Sequence, residues 1–389
     1  MKHNWEYKRL GDLCNISSSR RVLQSDWKES GVPFYRAREI VKLSENGFVN
    51  NELFISENLY DELAKSGIPQ AGDIMLSAVG TLGATYIVKP TDKFYYKDAS
   101  VICLSKISDL QPKFLCYLFD SNIILHQIDR QAKGATVGTI TISNASKFKV
   151  PVPDYKVQEQ IVAELDKINE TIEDCRELLR NLDALEQSLF YDYFGDPITN
   201  PKGWEVKKLV DICKAISTGI TYKPENVANT GTIVLRSSNI QNSAFVLNDI
   251  VRINMLLKPS QYVKKNDILM CSRNGSARLV GKVALIPEIN ENMSWGAFMT
   301  IIRSDFHHFL FQYFHLPAFR GQLTKTKTTT VNQITIGMLK QIQLPVPPLE
   351  LQEKFAARIE QIEEQKKAVE QTIAELQTLL DSRMDYWFN

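Results

Sequence analysis

Little in this sequence points to a metal centre, a membrane or an active site. The six cysteines (Cys14, Cys103, Cys116, Cys175, Cys213 and Cys271) are scattered, with no CxxC pair, so no thiolate metal site is expected. They read as reduced, mostly buried thiols of a cytoplasmic protein. No charge-free apolar stretch approaches the roughly 18–20 residues of a membrane span. The opening MKHNWEYKRL lacks the apolar core of a secretory signal. His307, His308 and His315 have no acid or thiol at ligand spacing beyond a distant Asp305. A phosphate-cradling P-loop is excluded as well: Gly275 and Gly281 enclose five residues, and Val283 stands where a hydroxyl would meet magnesium. There is no GxSxG turn and no HExxH helix. Pro347-Pro348 is followed by leucine, not by the aromatic residue of an amino-methyltransferase motif. No catalytic group and no cofactor site are therefore expected in this chain.

Net charge is also nearly absent, at +1, but the average conceals alternating blocks. Residues 1–153 carry +3, residues 154–195 carry −7, residues 196–348 carry +9 and residues 349–389 carry −4. A basic face suits a polyanion and an acidic one does not.

What is present is a repeat. WEYKRLGDLCNIS at 5–17 returns as WEVKKLVDICKAIS at 204–217. FYRAREI at 34–40 aligns with VLRSSNI at 234–240, keeping Arg36/Arg236 and Ile40/Ile240. DIMLSAVG from Asp73 answers DILMCSRNG from Asp267, and TVGTITIS from Thr136 answers TVNQITIG from Thr330. VPVPDYKVQEQI at 150–161 recurs as LPVPPLELQEKF at 344–355, and Tyr193-Phe194 as Trp387-Phe388. So many matches in one order define a duplicated unit. Each copy is a basic body followed by an acidic tail.

The bodies alternate short β-branched and aromatic runs with Gly, Asn, Asp and Ser turns, which predicts mixed α/β folds with a substantial sheet. One amphipathic helix per body is expected, near Phe114–Ile128 and Phe309–Leu323. In the first tail Ile161, Leu165, Ile168, Ile172, Cys175, Leu179, Leu182 and Leu189 follow 4-3 spacing. In the second, Phe355, Ile359, Ile362, Val369, Ile373, Leu376, Leu380 and Trp387 do the same. Such a stripe predicts a long helix that needs a partner helix, and the other tail is the nearest candidate. The prolines (Pro151, Pro153, Pro345, Pro347 and Pro348) end a strand and delay the helix. The expected fold class is α+β, with two pseudo-repeated mixed α/β domains joined by two long antiparallel helices in a coiled coil. The expected bounds are 1–153, 154–195, 196–348 and 349–389.

Residue types that suit DNA cluster in the turns. Ser18, Ser19, Arg20 and Arg21 offer hydroxyls and guanidinia after a predicted strand, fit for phosphates and guanine edges. The matching loop of the second copy has Thr218, Thr221, Tyr222 and Lys223, without arginine, so the two bodies are expected to read different sequences. Arg36, Arg38, Arg236, Ser238 and Asn239 follow further strands, where arginine and asparagine could contact guanine and adenine. Ion pairing, as of Arg38 with Glu39, is the competing reading. Glycine-rich turns would lift Ser77, Thr81, Arg273 and Asn274 toward DNA. Basic loops carry Lys133 and Thr136 in one copy and Lys325, Lys327 and Thr330 in the other, with the lysines as phosphate contacts. For every loop the alternative is a solvated surface.

A P(I/L/V)P strand end followed by an apolar-x-x-Gln-Glu helix start, twice in one chain, resembles the specificity subunit of type I restriction–modification enzymes. So do the repeated W…L.D.C opening and the LFYDYFGDP run at 189–197. The resemblance covers the whole chain. It implies two target-recognition domains on double-stranded DNA, each reading half of a bipartite site, with the helices as an antiparallel spacer. It also implies docking of modification subunits, two per chain, which carry S-adenosylmethionine and the adenine-methylating site, and leaves open whether restriction subunits join them. A coiled-coil scaffold whose repeated domains bind protein is the alternative, and an autonomous methyltransferase or nuclease a third.

Overall fold

The computed structural model describes residues 4–132, 138–325 and 332–388. Two helices of 40 residues each, Tyr155–Phe194 and Leu349–Phe388, carry the two repeats. The chain divides into two compact units, residues 1–176 with 371–389 and residues 177–370. Each unit thus holds one basic body, the start of one long helix and the end of the other.

In the first unit the repeated opening and the repeated proline punctuation turn out to be partners. Strand Glu6–Arg9 pairs antiparallel with Lys149–Val152, with Tyr7 opposite Pro151. In the second unit Glu205–Lys208 pairs with Gln343–Val346, with Val206 opposite Pro345. A two-stranded ribbon is all edge, so a proline without an N–H is tolerated there. The glutamine that opens each long helix is buried and fastens this ribbon's exit. Gln158 Nε2 donates to the Pro153 carbonyl at 2.9 Å and to the Asp109 carbonyl at 2.7 Å, while its Oε1 accepts from the Gln111 amide at 2.8 Å. Gln352, the same residue of the second copy, donates to the Pro347 carbonyl at 2.7 Å.

The bodies share a plan. In the first, a four-stranded antiparallel sheet runs Asn15–Ser17, Val101–Ser105, Ile74–Ser77, Thr85–Ile87. Its counterpart runs Ala215–Thr218, Met299–Arg303, Ile268–Cys271, Val283–Leu285. A second sheet in each contains one parallel pair, Val32–Tyr35 beside Tyr95–Tyr96 and Thr232–Leu235 beside Met293–Trp295. Where a single amphipathic helix was expected near Phe114–Ile128 and near Phe309–Leu323, each place holds two, and the first body also has the unexpected helices Ala37–Asn46 and Glu57–Ala64. Pro112–Asp120 is followed by Asn122–Ala132, and His307–His315 by Pro317–Lys325. The break in the second copy has a simple cause: Leu316 precedes a proline and is held extended, at φ −75° and ψ 150°. In the first copy Ser121 is extended, and its hydroxyl donates to the Leu118 carbonyl at 2.6 Å.

The 4-3 stripe is the buried face of both long helices. Ile161, Leu165, Ile168, Ile172, Leu182, Phe355, Ile359 and Ile362 are buried, while Cys175, Leu179, Val369, Ile373, Leu376 and Leu380 are half-buried. In the first unit Ile161 and Leu165 join a core that also takes Leu380, Met384, Trp387 and Phe388. The start of one helix therefore meets the end of the other, which makes the pair antiparallel. Glu164 accepts from the Arg383 guanidinium and from Trp387 Nε1 at 3.0 Å, and those hydrogen bonds hold its carboxyl below the usual range. Trp5 stacks on Trp387 with ring centres 6.5 Å apart. In the second unit Phe190 and Phe194 pack against Phe309 and Phe355, with Phe194 and Phe355 centred 4.8 Å apart. Lys366, mostly buried, bridges Asp183 at 2.7 Å and Glu186 at 2.5 Å. Antiparallel helices consequently stitch each unit from segments about 200 residues apart in sequence.

Candidate nucleic-acid interface

Hydrogen bonds, most of them to the backbone, gather suspected loops at one place in each body. In the first, Ser18 Oγ accepts from the Ala99 amide at 3.2 Å, and Ser19 Oγ donates to the Tyr96 carbonyl at 2.7 Å. The Arg20 amide donates to the Tyr95 hydroxyl at 2.9 Å. The Ala78 amide donates to the Ser100 carbonyl, and the Ile140 amide to the Ala78 carbonyl, both at 2.9 Å. The loops after Ser17 and after Ser77 are thereby both held to the Tyr95–Val101 segment, and Ile140 is held to Ala78. Arg20 and Arg21 are exposed on the first of them and Thr81 on the second.

The second body repeats this with other side chains. The Ile220 amide donates to the Trp295 carbonyl at 2.7 Å, the Ser272 amide to the Phe298 carbonyl at 2.9 Å and the Ile334 amide to the Ser272 carbonyl at 2.7 Å. Thr218, Thr221, Lys223 and Arg273 are exposed there, and Tyr222 is half-buried. Asn274 Nδ2 donates to Ser237 Oγ at 3.2 Å, which ties in the loop of Arg236 and Ser238. Gly219 is required by this closeness. A Cβ on it would lie 2.1 Å from the Trp295 carbonyl oxygen and 2.3 Å from that of Gly296. Gly219→Ala is expected to displace the Thr218–Lys223 loop and to destabilise the chain by about 1–3 kcal/mol. Denaturant unfolding checks this, and an unchanged midpoint would contradict it.

Other suspected residues are committed elsewhere. Ser77 is fully buried; its hydroxyl donates to the Thr81 carbonyl at 2.5 Å and accepts from the Ala84 amide at 2.9 Å. It shapes the turn instead of facing solvent. Asn239 is buried too: Oδ1 accepts from the Arg236 amide at 2.8 Å, and Nδ2 donates to the Val246 and Asn248 carbonyls at 3.0 Å. Glu39 holds the same position in the first copy and accepts from the Arg36 amide at 2.9 Å. Its carboxylate also takes Arg36 Nη2 at 2.8 Å and Arg38 Nε at 2.6 Å. Burial alone would raise the Glu39 pKa, but these hydrogen bonds outweigh it and hold the carboxyl below the usual range. Arg38 further pairs with Glu52, and Arg236 with Asp249 at 2.7 Å. These arginines are therefore held in ion pairs. Lys133, Thr136, Lys327 and Thr330 lie outside the described residues, and Lys325 is the last residue of its helix.

Sequence reasoning missed Phe298, which is 59% exposed, with the Arg273 guanidinium 5.4 Å from its ring centre. No periodic signal marks a single aromatic residue just ahead of a strand. A cavity of about 400 Å³ in the first unit is lined by Asp120, Asp381 and Asp385 among others, the wrong sign for a polyanion. Among the described residues no cluster of three or more His, Cys, Asp or Glu could hold a metal ion, and no helix is long and apolar enough to cross a membrane. His308 lies 3.5 Å from Glu360, and His315 bonds the Phe311 carbonyl and Ser243.

Two mixed α/β bodies of one plan, each gathering polar and basic loops and each built onto both long helices, define a duplicated two-domain protein. Residues 2–182 and 201–378 both match the type I restriction modification DNA specificity domain, and the chain belongs to that family. It is 28% identical over 169 residues to the type I restriction enzyme EcoKI specificity subunit of Escherichia coli, across 41% of this chain and 36% of that one. With the MjaVIII specificity subunit of Methanocaldococcus jannaschii it shares 22% identity over 390 residues, 92% of this chain and 86% of that one. The chain spans half or less of the first curated relatives it matches, 47% of a Haemophilus influenzae chain and 36% of the Escherichia coli one. The fold resembles that of the type I restriction–modification S subunit from M. genitalium, with TM-score 0.51 and 14% identity, over 98% of this chain and 95% of that one.

Proposed function

We propose that this chain is the non-catalytic, sequence-specific DNA-binding subunit of a type I restriction–modification complex. Residues 1–153 and 196–348 act as the two recognition domains, each taking one half of a bipartite target. The observation that carries this reading is the duplicated convergence of polar and basic loops, alike in frame and unlike in side chains. Shared frames suit a shared ligand, and unlike loops suit different base sequences. Contacts come from Ser18, Ser19, Arg20, Arg21 and Thr81 in the first body, and from Thr218, Thr221, Tyr222, Lys223, Arg273 and Asn274 in the second. Ser77, Asn239 and the paired Arg36, Arg38 and Arg236 position those loops. Lys133, Lys325 and Lys327 add phosphate contacts.

The long helices act as spacer and docking site. A 40-residue helix is ~60 Å long, against ~34 Å for a turn of DNA, which favours two half-sites around an unread gap. Their acidic exposed faces suit protein better than phosphate. Modification subunits, two per chain, would bind there and carry S-adenosylmethionine, and restriction subunits would join them. Family membership favours this over a scaffold that binds only protein. The test is methylome sequencing of a host expressing the chain with its modification subunits. A split motif with an unread centre is expected, and a short continuous motif would overturn the spacer.

A further inference from the structure

One difference between the two bodies falls at a pair of matched positions. Ser77 faces Val101 across the sheet of the first body, and Cys271 faces Met299 in the second. That register matches Ser100 with Phe298 and Val79 with Arg273. The matched carbonyls do the same work: Ser100 accepts from the Ala78 amide, and Phe298 from the Ser272 amide, each at 2.9 Å. Val79 bridges Thr139 and Arg273 bridges Gln333. The backbone bonds at these two positions are therefore the same, although the turn after Cys271 is longer than the one after Ser77, while a buried serine and a half-buried valine are replaced by an exposed phenylalanine and an exposed arginine.

We infer that Arg273 and Phe298 form the base-reading element of the second body, which takes a thymine–guanine step in the major groove. This rests on the DNA-binding reading above. A large apolar ring exposed among polar loops gains nothing from the core, since it lies outside the packed strands. What it does is hold a cation, with the guanidinium 5.4 Å from the ring centre. The Phe298 carbonyl also accepts from the Arg273 amide, at 3.0 Å, so both backbones are fixed relative to each other. Unlike Arg36, Arg38 and Arg236, which are drawn to carboxylates, Arg273 forms no ion pair with a carboxylate among the described residues, which leaves its planar fork for a ligand. A guanidinium fork matches guanine O6 and N7, and an apolar side chain matches the thymine methyl. Stacking on the ring orients the fork before binding, which lowers the side-chain entropy lost on contact. A ring and a fork side by side require the two bases to be neighbours.

The experiment selects duplexes from a randomised pool with the full chain and its modification subunits. The recovered half-site of the second body is then resynthesised with uracil for thymine, or with 7-deazaguanine for guanine, at that step. Uracil removes one methyl and is expected to weaken wild-type binding about fourfold, the worth of one buried methyl. 7-Deazaguanine removes the N7 acceptor and is expected to weaken it about tenfold or more. Phe298→Ala should be indifferent to uracil, and Arg273→Ala to 7-deazaguanine. Arg273→Lys keeps the charge and can still donate to guanine but has no planar fork to stack on the ring, so it should weaken the guanine preference and keep the salt dependence. A second half-site without a thymine–guanine step, or base analogues without effect on wild type, overturns the inference whether or not the variants fold. Absence of any salt-dependent duplex binding by the wild type would instead overturn the DNA-binding reading itself.

Discussion

Phe355→Ala is expected to destabilise the second unit by about 3–5 kcal/mol, the usual cost of deleting a fully buried aromatic ring. Phe355 is 0% exposed. Its ring centre lies 4.8 Å from that of Phe194, 5.8 Å from Tyr193 and 6.1 Å from Phe190. Phe190 in turn stacks on Phe309 at 5.5 Å. The ring therefore joins three stretches of chain: the end of the first long helix, the start of the second and the body between them. Its loss leaves a cavity that helices fixed by their own hydrogen bonds cannot collapse to fill. Thermal unfolding should show the transition of this unit falling by on the order of 10 °C. Phe388→Ala is the matching change in the first unit, where that ring is 1% exposed and 5.6 Å from Phe114. A loss below about 1 kcal/mol from Phe355→Ala would mean that the aromatic cluster does not hold the helices to the body.

Much of this architecture was legible because a duplication repeats its punctuation. The proline-closed strands, the tryptophan-led openings and the 4-3 stripes stand in the same order twice, and each carries a local physical meaning. The stripe of Ile161, Leu165, Phe355 and Ile359 is the buried face that its spacing demands. The pairing of these pieces was not legible. Nothing local in WEYKR says that it hydrogen-bonds KVPV some 140 residues later, and Trp5 gives no hint of Trp387. Long-range partners leave no period in a sequence. The broken helices were missed for a different reason. Apolar spacing continues smoothly through Ser121 and Leu316, and only the weaker pre-proline signal at Pro317 marked the stop.

The position of the candidate loops was legible in the sequence, and the partners of their side chains were not. Turn chemistry located the segments after Ser17, Ser77, Thr218 and Cys271, and the structure gathers them. Which side chains remain free depends on tertiary partners. Arg38 meets Glu52, 14 residues on, and Arg236 meets Asp249, 13 residues on. Asn239 looks like an adenine reader in sequence, yet its amide is fully used by three backbone groups. Glu39 and Asn239 occupy the same capping position with different charge, which shows why the arginines around them find different partners.

Replacing both Arg20 and Arg21 with alanine is expected to weaken or relax recognition of one half-site by about tenfold or more, with the other half-site unaffected. Both guanidinia are exposed on a loop pinned by Ser18, Ser19 and the Arg20 amide. The side chains can therefore be removed without loosening the backbone that presents them. Exposed arginines on a pre-fixed loop can face base edges, and the second body's matching loop has threonines, a tyrosine and a lysine instead. Lys325→Ala with Lys327→Ala should act differently. If these lysines meet phosphates, affinity falls on every sequence, and the slope of log affinity against log salt becomes shallower by about 2. Titrations on duplexes with one half-site scrambled at a time, at two salt concentrations, separate the two behaviours. Equal losses on both half-sites from the Arg20/Arg21 change would count against independent reading by the two bodies. No loss at all would remove both arginines from the interface, and would leave the first body's reading to the turn that carries Thr81.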